Sequence, residues 1–228
     1  LYGLAEASVG VAAARRGGQA RDRETGVSAG GGSNPTRVNN VETLSNVAHI
    51  LARGAEWFRS MGTVESPGTI VATGVGDVVA PDVGESEVGA SRVGVIDAGG
   101  SGLADGRTIK AVFSGVANAV VTEADLGVPV SYEGFQAIGS GMGSAGFIVY
   151  DDTTCMVDAA YRFSRFLSIE SCGQCPPCKL GSSAITEDLE RIEVGAGDDA
   201  DLDAIAGWLG HGTEGSRCFL ATEEQVVV

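Results

Sequence analysis

The rhythm of apolar and polar positions changes along the 228-residue chain, and each change predicts a different kind of element. The opening stretch holds a short Ala-rich run, Val11-Ala12-Ala13-Ala14, that is compatible with a helix. Glu6 ahead of it suits the positive end of a helix dipole. Residues 24–34 are rich in Gly, Ser and Asn, which predicts a loop. The stretch from Pro35 then leads into a helix, with Asn39 or Asn40 as N-cap and Glu42 and Thr43 in its first turns. Leu44, Val47, Ala48, Ile50 and Leu51 form its 3.6-period stripe, and Gly54 closes it. Trp57 and Phe58 read as packing anchors of a second short helical turn. From Gly68 to Tyr150 the pattern shifts to strands: 69–74, 93–97, 108–116, 128–130 and 147–150. Short strands with one helix among them predict a small α+β unit. Asp151 and Asp152 mark a helix start, and the helical period then returns through Val157, Ala160, Phe163, Phe166 and Leu167. A second amphipathic helix carries Leu180, Ile185, Leu189 and Ile192. A third carries Leu202, Ile205, Ala206, Trp208 and Leu209, ended by Gly210.

Between the first two of these C-terminal helices lies the run Cys172-Gly173-Gln174-Cys175-Pro176-Pro177-Cys178. Disulfide pairing is a poor account of it, because three thiols leave one unpaired and bridging near neighbours strains the loop. A tight turn instead aims all three sulfurs at one centre, and thiolates select iron–sulfur clusters, zinc or copper(I). A [4Fe–4S] cube takes four thiolates, and three close cysteines plus one distant cysteine supply them. Cys218, the one cysteine after the run, is the fourth candidate. Structural zinc and thiols without metal remain the alternatives. Cys155 has no partner at ligand spacing and is expected as a buried structural thiol.

Composition narrows the field. Gly makes up 35 residues, concentrated between Gly17 and Gly146, which favours short strands and many turns. The net charge of -15 comes without a Lys/Arg stripe, so no nucleic-acid partner is expected. No run of about 18 apolar residues predicts a membrane span. Cysteine usage suits a reducing cytosol. The start at Leu1 and the end on Val226-Val227-Val228 predict a piece of a longer protein. Gly139–Gly146 imitates a dinucleotide loop but precedes a strand, whereas that loop follows a strand and opens a helix. His211 reads as a surface residue, and His49 has no nucleophile context.

The cysteine run, with Glu170-Ser171 before it and Cys218 beyond, resembles the flavoprotein (NADH-binding, F-type) subunit of respiratory NADH dehydrogenase. The same subunit type occurs in NAD-linked hydrogenases and formate dehydrogenases. Pro35-Thr36 followed by Val38-Asn39-Asn40-Val41-Glu42-Thr43-Leu44 is similar to that family's second signature. The resemblance covers nearly the whole chain but corresponds to the C-terminal half of the family's protein. It implies an α+β multidomain fold in three parts. Residues 1–66 would end an α/β FMN- and NADH-binding domain, 67–150 would be a β-grasp-like (SLBB) domain, and 151–228 a helical bundle carrying the [4Fe–4S] cluster. It also implies FMN contacts at Val38, Asn39, Asn40 and Thr43. Glu6, in Tyr2-Gly3-Leu4-Ala5-Glu6, matches the family's Tyr-x-x-Gly-Glu near flavin and nicotinamide, with Ala5 in place of Gly. Lys179 stands where an Arg is often found and keeps the charge. Around Cys218, Ser216-Arg217-Cys218-Phe219-Leu220 resembles the soluble NAD-linked relatives as much as the respiratory subunit.

The implied activity is that of an NADH dehydrogenase oxidoreductase, exercised by the full-length protein and not by this piece alone. Electrons would pass from NAD(H) through FMN to the cluster on Cys172, Cys175, Cys178 and Cys218. They would then leave for other iron–sulfur subunits of a respiratory or soluble NAD-linked complex. The implied location is cytoplasmic, peripheral to the inner face of the membrane through that complex. The competing expectation is an iron–sulfur electron carrier or scaffold without NADH chemistry of its own.

Overall fold

The computed structural model describes residues 27–29, 35–37, 39–91 and 101–228. The chain divides into two compact units, Leu1–Phe58 and Arg59–Val228. In the first, β1 (Val27–Ala29) and β2 (Pro35–Arg37) pair antiparallel, Val27 opposite Arg37. These strands lie in stretches that composition marks as a loop and the approach to a helix. Helix α1 (Val41–Arg53) begins only where Asn40, in extended backbone, caps it by accepting from the Glu42 amide. Gly54, at φ 91, ends α1 in a conformation that costs side-chain-bearing residues strain. Helix α2 (Ala55–Arg59) follows at once, and the Arg53 guanidinium lies 4.7 Å over the Trp57 ring. The α1 stripe is not buried: Leu44, Val47 and Leu51 are all exposed.

The second unit is built on a five-stranded sheet of β3 (Thr69–Gly76), β4 (Asp82–Glu87), β5 (Ile109–Ser114), β6 (Val121–Thr122) and β7 (Gly146–Asp151). Its spatial order is β4-β3-β7-β5-β6, with β3 and β7 parallel and the other neighbours antiparallel. One face buries Ile70, Ala72, Val112, Phe147 and Val149 with Phe135 of the short helix α3 (Tyr132–Ala137) and Met142. The other face presents Ala111, Phe113, Ile148 and Tyr150 to Phe163 and Leu167 of α4 (Met156–Glu170) and Val227 of α7 (Leu220–Val227). Strand β5 is therefore buried nearly throughout, as a strand covered on both faces must be. Helices α5 (Pro176–Glu193) and α6 (Asp199–His211) complete the unit through Ile185, Leu189 and Ile205. Ser164 to Thr186 (2.8 Å) and Ser168 to Ser183 (3.1 Å) fasten α4 to α5. Arg191 to Asp201 (2.9 Å) fastens α5 to α6, where Asp198 and Asp201 form a capping box.

Several expectations need correction. Val128–Val130 is not a strand, since Pro129 removes a ladder donor. Val130 nevertheless accepts from the Gly89 amide (2.7 Å) and donates to Ala90 (3.0 Å), and its side chain is buried. Strand β4, Asp-Val-Gly-Glu-Ser-Glu, escapes hydrophobic patterning because it is a largely exposed edge. Asp151 ends β7 and accepts from the Thr153 amide (2.8 Å), so α4 starts at Met156. Cys155 is exposed at the N-cap of α4, its sulfur 3.8 Å from Glu193, and is no buried thiol. Helix α6 runs through Gly210 to His211 and is capped by Gly212. The 93–97 strand lies outside the described residues.

Candidate metal centre

Helix α4 ends at Glu170, and Ser171 caps it through its amide to Leu167 (2.9 Å). Cys172 follows on an exposed loop, and Gly173 turns the chain at φ 75, the left-handed region that only Gly enters freely. A side chain there would meet nothing within 4 Å, so the requirement for Gly is conformational. Cys175 is the N-cap of α5, and Pro176 occupies its first helical position, where a missing N–H leaves no bond unmade. Cys178 then lies in the first turn. The same three-residue spacing thus places two of the three thiols on the partly positive end of an 18-residue helix, which favours an anionic thiolate-bound group.

Two contacts strap this loop to the end of α4. The Ser171 hydroxyl lies 3.4 Å from the Cys178 sulfur, and the Lys179 ammonium donates to the Ser168 carbonyl. The fourth cysteine, Cys218, is exposed on the segment between α6 and α7. Its neighbour Arg217 donates to the Gln174 side chain at 3.2 Å, which joins the Cys218 segment to the loop between Cys172 and Cys175. All five cysteines are free thiols, so no disulfide competes for the donor set. Among the described residues, no three His, Cys, Asp or Glu side chains are gathered closely enough to hold a single metal ion. The donor chemistry, four free thiols on two segments in hydrogen-bond contact, fits a [4Fe–4S] cube, whose ligands spread around a larger body than one ion.

Behind Cys178 is a cavity of about 10 Å³, lined also by Gly181, Ser182, Trp208, Gly212 and Glu224. Gly181 leaves room for the Trp208 ring, whose nearest atom would stand 3.4 Å from an added Cβ. Glu224 is 3% exposed, and neither of its carboxylate oxygens has a hydrogen-bond partner. Burial pushes its carboxyl up to about 7; the Ser164 hydroxyl, which opposes the rise, is engaged with Thr186. Sequence reasoning missed Glu224. Its spacing from Ala221 and Val227 places it on the buried face of α7, a signal readable once that helix is drawn. It also missed the Arg217–Gln174 contact, for which no sequence signal exists.

The flavin-side residues lie in the first unit. Asn39 and Asn40 are exposed at the N-terminus of α1, Asn39 accepting from the Asn40 amide (2.8 Å) and Asn40 from the Glu42 amide. Thr43 is exposed in the first turn. Glu6 and Val38 lie outside the described residues. His211 is an exposed residue beside Glu214 (2.9 Å), as expected. The loop at 139–145 leads into β7, so the reason for rejecting it as a dinucleotide site stands.

Residues 158–228 match the family described as the NADH-ubiquinone oxidoreductase-F iron-sulfur binding region, which spans all four candidate cysteines. The chain is 41% identical over 174 residues to the second F-type subunit of the NADH-quinone oxidoreductase of Rhizobium meliloti (strain 1021), covering 76% of this chain and 41% of that protein. It is also 41% identical over 172 residues to the HndC subunit of the NADP-reducing hydrogenase of Solidesulfovibrio fructosivorans, covering 75% and 35%. Among solved structures, the crystal structure of NAD+-reducing [NiFe]-hydrogenase in the air-oxidized state superposes with a TM-score of 0.71 at 31% identity, over 87% of this chain and 34% of that one. The resemblance read from the two motifs is therefore borne out. The mixed α/β fold, one main sheet with several helices, is the fold of these relatives. The chain spans about two fifths of the length of the curated relatives it matches.

Proposed function

We propose that this chain, similar over some three quarters of its length to F-type subunits of NADH-quinone oxidoreductase and to a hydrogenase subunit, is the cluster-bearing part of an NADH-oxidising flavoprotein subunit. The observation that carries the proposal is the cysteine loop at the mouth of α5, with the Cys218 segment hydrogen-bonded to it, inside the matched iron–sulfur region. Cys172, Cys175, Cys178 and Cys218 would hold the [4Fe–4S] cluster. Glu6, Val38, Asn39, Asn40 and Thr43 would contribute to an FMN and NAD(H) site completed by further chain. When bound, the two cofactors would supply the conversion of a hydride pair into single electrons and their onward transfer.

The chain's own residues hold and tune. The thiolates fix the cluster at the end of α4 and α5. Lys179, anchored on the Ser168 carbonyl, keeps a positive charge beside the loop and so favours a more negative cluster. The exposure of Cys172 and Cys218 leaves the cluster edge open toward a partner, which would be another iron–sulfur subunit of a respiratory or soluble NAD-linked complex. We place that complex in the cytoplasm, on the inner face of the membrane in the respiratory case. No helix among the described residues is long and apolar enough to cross a membrane. In the same reading, residues 1–66 end the flavin domain, 67–150 form a β-grasp-like (SLBB) domain, and 151–228 form the helical cluster domain. The two-faced burial of the sheet supports a substantial β unit between flavin and cluster parts.

Anaerobic purification with iron and sulfide assay, and EPR of the dithionite-reduced protein, tests this reading. About four irons and four sulfides per chain with a reduced-cluster signal are expected; a colourless protein with one zinc would overturn it. Ala5, in place of the family's Gly, favours a second reading: an electron carrier or scaffold whose NADH chemistry is lost because the backbone there is less approachable. NADH oxidation by the complete natural polypeptide would eliminate that alternative.

A further inference from the structure

The fourth ligand faces a problem that the first three do not. Cys172, Cys175 and Cys178 are delivered together by one loop, which Ser171 and Lys179 strap to α4. Cys218 arrives on a separate segment whose own order comes from local turns. The Ser216 amide donates to the Thr213 carbonyl at 3.1 Å, and Phe219 opens α7. Neither feature aims the Cys218 sulfur at the other three. What reaches across is Arg217, whose guanidinium donates to the Gln174 side-chain oxygen at 3.2 Å over 43 residues of sequence. Both ends of this bond sit beside ligands: Arg217 is adjacent to Cys218, and Gln174 lies between Cys172 and Cys175. The left-handed turn at Gly173 sets the backbone that carries Gln174.

We propose that Arg217 and Gln174 form a clasp that positions Cys218 over the three-cysteine loop and retains the fourth thiolate on the cluster. The clasp rests on the assignment of Cys218 as a ligand. A hydrogen bond to a charged donor at an exposed position is modest in strength, so its effect is on retention and not on folding. Holding one segment beside the other raises the effective concentration of the Cys218 thiolate whenever its bond to iron opens. Arg217 and Gln174 are positioning residues and touch no iron themselves.

The test is a double-mutant cycle on the anaerobically purified holoprotein, with Arg217→Met, Gln174→Met and both together. The readout is the rate of iron release to a chelator, with melting temperature recorded alongside. Each single variant should release iron roughly 3- to 10-fold faster, the factor expected for losing one such bond. The double variant should be no faster than the singles, because both remove the same contact. Gln174→Glu, which strengthens the pair by adding charge, should release iron no faster than wild type. Melting temperatures should stay unchanged. Wild-type release rates in both single variants, or effects that multiply in the double, would overturn the clasp. Cys218→Ser separates this from the underlying assignment: full iron content in that variant removes Cys218 as a ligand, and the clasp with it.

Discussion

Where α4 lies on the sheet, the Phe163 ring is 4.7 Å from Phe113 and 6.3 Å from Tyr150, in a dry layer shared with Leu167 and Val227. At the C-terminal end of the same helix the chain enters a loop where Cys172 is exposed, and hydrogen bonds from Lys179 and Arg217 do the fastening. The first region is held by apolar burial that needs no cofactor. The second is held by polar contacts of modest worth, and its cysteines are left free to be gathered by what they bind. The contrast teaches that one helix serves two purposes: its middle secures the sheet, and its end offers ligands whose final order depends on the cluster.

Phe163→Ala attacks the first region and should have the largest effect, about 3–5 kcal/mol of lost stability by denaturant unfolding, with or without the cluster. A loss confined to the cluster-loaded protein would mean that the sheet contact depends on the cofactor after all. Glu224 tests the boundary between the regions. Its folded value of about 7 exceeds the 4.5 of an unhindered carboxyl, so its contribution is fully present below pH 4.5. That contribution is lost as pH rises to about 7, since the unfolded chain releases its proton first. The loss amounts to about 3 kcal/mol for a rise of that size, less if water enters the cavity. Glu224→Gln should flatten this slope in unfolding free energy against pH, and an unchanged slope would remove Glu224 as its source. Gly173→Ala, which forces a side chain into left-handed backbone, should cost about 1–2 kcal/mol locally. It should speed iron release while leaving the Phe163 layer intact by near-ultraviolet circular dichroism.

Legibility in the sequence followed the same divide. Strands β3, β5 and β7 were readable because apolar, β-branched runs between turn residues report burial directly. Strand β4 was not, because an exposed edge carries Glu and Ser where a core strand carries Val and Ile. Val128–Val130 misled because its apolar side chain is buried without a full ladder around it. Asp151 misled as a helix start because the same side chain caps a turn at a strand end. Cys155 misled because a thiol without ligand spacing is usually buried, whereas here it sits at an exposed helix cap. The three-cysteine run was readable from spacing alone. The carboxyl behind it and the clasp across it were not, because both depend on tertiary neighbours far apart in sequence.

The central claim is that Cys218 completes the set begun by Cys172, Cys175 and Cys178, and the iron content of Cys218→Ser tests it most directly. Both Cys218→Ser and the control Cys155→Ser would be purified anaerobically, assayed for iron and sulfide, and reduced for EPR. Cys155→Ser should match wild type at about four irons per chain, while Cys218→Ser should lose iron and the four-iron signal. A wild-type iron content and spectrum in Cys218→Ser would contradict the claim.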